Sequence, residues 1–115
     1  MKTLCKIRNM YRSIAEFEIK FEKEFDICLN AGMLLCSLEE KKKLSSGEIA
    51  KDLGLTYSNT SKVIKSIEEK GLIKRKLGKD DKRQMYFTLT KEGEDKLNSI
   101  RISDIEIPTE LMGIV

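Results

Sequence analysis

Short hydrogen-bonding side chains and lysines recur along residues 58–69, a combination that can read nucleic acid. The polar positions are Ser58, Asn59, Ser61, Lys62, Lys65, Ser66 and Glu69. On a helix in the major groove, Asn can bind adenine through two hydrogen bonds, and Lys can reach guanine or phosphate. Taken alone, the same residues fit a helix that is merely capped and solvated, and that interpretation is favoured until the neighbouring segments are considered.

Basic residues are concentrated in the middle of the chain. The formal net charge of the 115 residues is only +3. Residues 41–83, however, hold 13 Lys and Arg against 6 Asp and Glu, whereas residues 1–40 and 84–115 carry net charges of −1 and −3. A basic segment between mildly acidic ones is typical of a surface that faces a polyanion. A solvated, lysine-rich face would give the same distribution of charge.

A predicted β-hairpin adds basic side chains directly after the polar segment. A period of two runs along residues 73–77 and 85–89, with a charged turn between them, and this predicts two antiparallel strands. The basic residues are Lys74, Lys76, Lys79, Lys82 and Arg83. Arg suits a narrow minor groove, and a carboxylate such as Asp80 or Asp81 can hold its guanidinium in one orientation. An ordinary polar turn is the alternative for this tip.

Two short helices precede the hairpin and would position the polar residues. Ser45 followed by Glu48 predicts a capping box at the start of the first helix, which ends at Gly54. Thr56 can cap the second helix, which ends at Gly71. The apolar face of that second helix would consist of Thr60 (by its methyl group), Val63, Ile64 and Ile67. Two helices joined by a short glycine-containing turn form a helix-turn-helix.

Further helices flank this pair. Between Leu4 and Phe25 apolar residues recur every three or four positions in a narrow, heptad-like stripe, which predicts an amphipathic helix with a face suited to a partner helix. A second, leucine-rich helix is expected to end at the charged stretch 39–43, which would form a polar connection. Thr90 can cap a last helix, and Pro108 argues against a long uninterrupted helix at the C-terminus.

Composition excludes several classes of protein. A chain of 115 residues has the size of one domain, and its apolar stretches are too short to cross a bilayer. The N-terminus shows no secretory signal, so we expect a cytoplasmic protein whose three cysteines are reduced. With no histidine, and no nucleophile–base pair or metal cluster of recognisable spacing, we expect neither an enzyme nor a bound metal or cofactor.

The two short helices and the hairpin together resemble the multiple-antibiotic-resistance regulator (MarR) family of winged-helix transcription factors. The segments that carry the resemblance are Leu44–Ala50, Leu53–Ile64, Ile67–Ile73 and Asp81–Thr90. The last of these is similar to the Asp-x-Arg-x5-Leu-Thr signature of that family. The resemblance implies a homodimer on a pseudo-palindromic operator, with the helix 57–70 in the major groove and the wing 74–88 in the minor groove. It also implies a small-molecule effector, which no residue of the sequence identifies.

The predicted function is therefore a sequence-specific regulator of transcription that binds double-stranded DNA. Its predicted DNA-binding residues are Ser58, Asn59, Ser61, Lys62, Lys65, Lys76, Lys79, Asp81 and Arg83. Asn59 and Lys62 are the strongest candidates for base contacts, and the resemblance implies that Asp81 orients Arg83 at the wing tip. The alternative is a winged helix that binds another protein without specific DNA binding, for which the acidic flanks and the apolar ends of the chain are the support.

The predicted fold is α+β and mostly helical, a winged helix-turn-helix domain with an N-terminal dimerisation helix and two or three strands. We expect one domain over residues 1–115, with the dimerisation helix at 1–28, the helix-turn-helix and wing at 29–93, and a C-terminal helix and tail at 94–115. The region after Thr90 is shorter than is usual in the family. Thr60 also departs from the pattern, because a buried hydroxyl needs a partner such as the backbone carbonyl one turn earlier.

The three cysteines raise the question of a redox role. Some members of the family sense oxidants through a cysteine near the first helix, and the sequence offers Cys5 and Cys28 near that position. Cys5 has basic neighbours, whereas Cys36 lies beside leucines. A sensor thiol needs exposure and a lowered pKa. Small incidental or buried thiols are the favoured interpretation, because free cysteine is among the most buried residue types.

Overall fold

The computed structural model describes residues 2–79, 83–103, 105, 107 and 108 of the chain. These residues form five helices and three short strands. In chain order they are α1 (Lys2–Phe25), α2 (Leu29–Lys41), β1 (Leu44–Ser45), α3 (Ser46–Leu53), α4 (Tyr57–Glu69), β2 (Ile73–Leu77), β3 (Met85–Leu89) and α5 (Lys91–Arg101). This is the mostly helical α+β winged helix that the sequence predicts.

Contacts between residues group the described chain into two compact units. The first contains the residues up to Leu29 together with those described from Ser103 onward, and the second spans Asn30–Ile102. The second unit therefore contains α3, α4, α5 and the whole sheet. The domain boundaries expected at residues 28 and 93 stay a prediction.

Aromatic stacking defines the C-terminal half of α1. The Phe21 ring lies 6.1 Å from that of Phe17 and 4.8 Å from that of Phe25, and both Phe21 and Phe25 are buried. Towards the N-terminus, however, the predicted apolar stripe lies in solvent. Tyr11 is 73% exposed, and Leu4 and Ile7 are also exposed. The long amphipathic helix is confirmed, and its stripe is buried along only part of its length.

Apolar side chains from α2, α3, α4 and the sheet fill the core of the second unit. The largest fully buried side chains are Phe87, Leu34, Leu35, Leu38, Ile49, Ile67 and Thr60. The Thr60 hydroxyl donates to the Thr56 carbonyl oxygen at 2.7 Å, which is the partner one turn earlier that its burial requires. The hydroxyl is therefore satisfied without a break in α4.

The capping signals in the sequence are confirmed. The Ser45 hydroxyl accepts from the Glu48 backbone amide at 3.2 Å, and Glu48 Oε1 accepts from the Ser45 amide at 2.9 Å, which completes the capping box. The Thr56 hydroxyl likewise accepts from the Asn59 amide at 3.1 Å. Gly54 follows α3 at a φ of 66°, a left-handed conformation that glycine adopts without steric cost.

Only the last two residues of the charged stretch 39–43 form the polar connection that its composition suggests. α2 continues through Lys41 and ends where Lys42 adopts a φ of 71°, and Lys42 and Lys43 connect it to β1. Two charged residues in the helical part form ion pairs with later helices, Lys41 with Asp52 at 2.5 Å and Glu39 with Arg101 at 2.5 Å. These pairs were not predicted, because the partners lie far along the sequence.

The sheet is antiparallel and has the strand order β1-β3-β2. Arg75 pairs with Phe87 and Lys76 with Tyr86 between β2 and β3, while Leu44 of β1 lies opposite Phe87 on the other side of β3. Because alternate residues point to opposite faces, Arg75 and Phe87 share one face and Lys76 and Tyr86 share the other. The predicted hairpin is confirmed, with β1 as a third strand.

Candidate nucleic-acid interface

The buried face of α4 packs against the rest of the second unit, and this packing fixes which residues of the helix face outward. Thr60, Val63, Ile64 and Ile67 are all buried, as their helical spacing predicts. The exposed residues of the opposite face include all five that the sequence analysis selected on this helix, which are Ser58, Asn59, Ser61, Lys62 and Lys65. Packing therefore presents the predicted polar set to solvent as one surface.

The first turn of α4 leaves polar side chains at its N-terminal end available to a ligand. Thr56 caps this end by accepting from the backbone amide of Asn59, so capping does not use the Asn59 side chain. No acidic residue lies in the first turn. The partial positive charge of a helix N-terminus favours anions, which agrees with a surface that approaches phosphate.

Two residues named with this set behave differently from the other five. Ser66 is half-buried, and its hydroxyl donates to the Val63 carbonyl oxygen at 2.8 Å, so this hydroxyl is engaged within the helix. Glu69 is exposed but is the last residue of α4, which separates it from the polar groups of the first two turns.

A bidentate ion pair fastens the hairpin to α4. Arg75 of β2 donates to both carboxylate oxygens of Glu68, from Nε at 2.6 Å and from a terminal nitrogen at 3.1 Å. Its guanidinium also lies 5.4 Å from the centre of the Phe87 ring. The hydrogen bond to Glu68 raises the pKa of Arg75 above its ordinary value. This pair was not predicted from the sequence. Arg75, however, alternates with Ile73 and Leu77 along β2, and a charged residue in an otherwise apolar row signals a partner.

A cleft lies between α4 and the face of the hairpin that carries Arg75 and Phe87. It measures about 510 Å³, and two predicted contact residues, Ser61 and Lys65, lie on its wall with Arg75. Tyr57, the first residue of α4, also lines it and is 72% exposed. This aromatic side chain beside the polar surface was not singled out from the sequence.

The hairpin carries basic side chains into solvent. Lys74, Lys76, Lys79 and Arg83 are all exposed. The tip residues Asp80, Asp81 and Lys82 lie outside the described residues, and with them the expected role of Asp81 beside Arg83. Lys76 lies on the sheet face opposite Arg75. Lys74, two residues earlier on the same strand, shares that face with Lys76.

The structure also describes other groups relevant to chemistry. Cys5 and Cys36 are exposed, Cys28 is half-buried, and none of the three forms a disulfide among the described residues. Among the described residues no cluster of three or more His, Cys, Asp or Glu side chains has metal-binding geometry. In the same residues no helix is long and apolar enough to span a membrane.

Comparison with known proteins agrees with this geometry. The model of the MarR family matches residues 29–85, a segment that contains α3, α4 and β2. The regulator Hpr of Geobacillus sp. (strain WCH70), named an HTH-type transcriptional regulator, is 31% identical over 101 residues, which cover 88% of this chain and 49% of that protein. The chain belongs to the MarR family. It spans about half the length of the curated relatives that it matches first.

Solved structures of similar proteins share the fold of this MarR-family chain. A structure described as reduced AbfR bound to DNA has a TM-score of 0.73 at 29% identity, with coverage of 87% of this chain and 73% of that one. The transcriptional regulator BldR of Sulfolobus solfataricus has a TM-score of 0.77 at 24% identity, with coverage of 97% of this chain and 88% of that one. The winged-helix architecture is therefore that of the family.

Proposed function

We propose that this chain is a sequence-specific regulator of transcription that binds double-stranded DNA. The observation that carries the proposal is the exposed polar face of α4, which includes Asn59 and Lys62, on a helix that is bound through Glu68 to a hairpin with exposed lysines. A recognition helix in the major groove reads base edges with its first turns, and adjacent basic residues hold the phosphates. The DNA-bound structure of its relative AbfR supports the same class of ligand.

Each predicted residue receives a role in this proposal. Asn59 and Lys62 contact base edges. Lys76, Lys79 and Arg83 neutralise backbone phosphates, and Arg83 reaches into the minor groove while Asp81 orients its guanidinium. The remaining predicted residues of α4, namely Ser58, Ser61 and Lys65, hold the helix in register on the DNA backbone.

We propose further that two copies of the chain associate through α1. The exposed Leu4, Ile7 and Tyr11 recur at spacings of three and four residues and would be buried against a second helix. A twofold dimer presents two copies of α4, which matches a pseudo-palindromic operator. We place the regulator in the cytoplasm, where it would have access to chromosomal DNA, with its affinity under the control of a small-molecule effector.

The test begins with selection of preferred duplexes from a random library, followed by fluorescence anisotropy against the selected and a scrambled duplex. We expect the selected duplex to bind about 10³-fold more tightly, with affinity that falls steeply as salt rises. Lys62→Ala should reduce affinity for the selected duplex, whereas Lys91→Gln, which removes an exposed lysine on α5, should not.

Two results would contradict the proposal. One is the failure of selection to enrich any sequence, with weak and equal binding to both duplexes. The other is enrichment with no difference between Lys62→Ala and Lys91→Gln. The first result would favour the alternative of a winged helix that binds another protein, and the second would remove α4 from the interface.

A further inference from the structure

A second cleft lies on the opposite face of the sheet, between the end of α2 and the hairpin. It has a volume of about 380 Å³, which is within the range of small-molecule sites. Among the residues that the structure describes, five lysines and no acidic side chain line it. These lysines are Lys41, Lys42, Lys43, Lys76 and Lys79. None of the first three was selected from the sequence as a contact residue.

Two of the five lysines already interact with other side chains of the protein. Lys41 forms the ion pair with Asp52 at 2.5 Å, and the Lys43 ammonium lies 4.9 Å from the centre of the Tyr86 ring, which also lines the cleft. Lys42 and Lys76 form no ion pair within the part of the chain that the structure describes. No carboxylate among the described residues therefore balances the positive charge of these two lysines.

One residue of the lining also carries a buried polar atom that is unsatisfied. Thr88 lies among the lining residues, and of the buried side-chain nitrogen and oxygen atoms that the structure describes, only its Oγ1 lacks a hydrogen-bond partner. Buried hydroxyls in folded proteins are nearly always paired, and an exception points to an absent ion or water. Excess positive charge and an unpaired donor at the same place favour an anion.

We propose that this cleft binds a small phosphate-bearing anion, either a phosphate monoester or free phosphate. Lysines bind phosphate as point charges from several directions, and arginine, the residue suited to planar two-pronged recognition of carboxylates, is absent from the lining. The concave shape of the cleft suits a small anion, and because Lys76 and Lys79 of its lining are also proposed DNA contacts, the anion and the DNA backbone would compete for these two lysines. The inference goes beyond DNA binding and does not depend on it.

The test is an NMR titration of the ¹⁵N-labelled full chain at constant ionic strength, without DNA. Phenyl phosphate and inorganic phosphate are the two probes, and sodium chloride is the reference. We expect saturable amide shifts confined to residues 41–44, 76–79 and 86–88. Tighter binding of phenyl phosphate would identify a monoester as the ligand, and equal binding would identify free phosphate.

Variants separate a built site from diffuse attraction. Lys42→Gln should weaken binding about tenfold, since it removes a charged hydrogen bond, and Thr88→Val about threefold, since it removes a neutral one. Thr88→Val deletes a hydroxyl that lacks a partner, so the fold should be retained. Lys51→Gln, an exposed lysine on α3 outside the cleft, is the charge-matched control and should bind like the unaltered chain.

Three results would overturn the inference. Shifts that are linear in probe concentration and spread over the lysines of the whole chain would show general screening. Equal affinities for Lys42→Gln and Lys51→Gln would place the anion elsewhere. If neither probe binds, and the same amides shift in a separate titration with duplex DNA, the cleft is a contact for the DNA backbone instead. Because the titration contains no DNA, loss of the proposed function would leave its result unchanged.

Discussion

Replacement of Gly93 by Ala, which adds a single methyl group, should strongly lower the free energy of unfolding of this protein. A Cβ at this position would lie 2.1 Å from the Leu72 carbonyl oxygen and 3.2 Å from the Leu89 side chain. The obstacle is backbone, and it is fixed in place, because the Leu72 oxygen accepts from the Thr90 amide at 3.1 Å. The Thr90 hydroxyl in turn accepts from the Gly93 amide at 3.0 Å.

The magnitude follows from how far the backbone must move. An ordinary carbon–oxygen separation is about 1 Å longer than this approach allows, so α5 must move away from Leu72, which weakens the hydrogen bond from the Thr90 amide to the Leu72 oxygen. Overpacking in a fixed environment costs typically 1–3 kcal/mol, and we expect about 3 kcal/mol here. For a domain of this size that lowers the Tm by about 12 °C or more.

Gly47→Ala is the matched control. Gly47 also lies in the first turn of a helix, α3, but a Cβ there meets no atom within 4 Å. The substitution should leave stability unchanged or raise it by about 0.5 kcal/mol, because alanine restricts the unfolded chain. Thermal unfolding followed by circular dichroism measures both variants. Equal Tm values for Gly93→Ala and Gly47→Ala would refute the close approach of α5 to Leu72.

Three further predictions follow from other interactions. Thr60→Val should change the free energy of unfolding by less than about 1 kcal/mol in urea titration, because the Thr56 carbonyl keeps its bond from the residue-60 amide; a loss above about 2 kcal/mol would contradict this. The hydrogen bond from Lys41 lowers the pKa of Asp52 below 3.8, so its contribution is present above that pH and is lost as pH falls through the lower folded value. Asp52→Asn should therefore lower the urea midpoint more at pH 7 than near pH 2, and an equal effect at both pH values would be contrary evidence. Ile7→Glu should convert a dimer to a single 13.2 kDa chain in light scattering, whereas Glu16→Lys, also exposed on α1, should not; a monomer before substitution would refute the dimer.

Local signals in the sequence predicted the elements that carry the candidate interface. The Ser45 and Thr56 caps, and the inward face of α4, depend on residues within one or two turns of each other. Each of these can be inferred without knowledge of the tertiary structure. The exposure of Asn59 and Lys62 follows directly from which residues of the same helix are buried.

Features that depend on distant residues were not predictable in this way. Arg75 meets Glu68 only because β2 packs beside α4, and the end of α2 is extended where Glu39 meets Arg101. The strand β1 has two residues, too few for a period of two to be visible. The lysine-lined cleft likewise forms only when residues 41–43 meet the hairpin.

The most direct test of the central claim is a base-pair substitution scan of the selected duplex, with binding constants measured for the unaltered chain, Asn59→Ala and Lys76→Ala. If α4 reads bases, Asn59→Ala should lose about 1–3 kcal/mol of discrimination at one base pair of each half-site. Lys76→Ala should instead weaken binding to every duplex alike and reduce the salt slope by about 0.9 for each phosphate that it no longer neutralises. If Asn59→Ala and Lys62→Ala both discriminate between base pairs as well as the unaltered chain does, the account is contradicted.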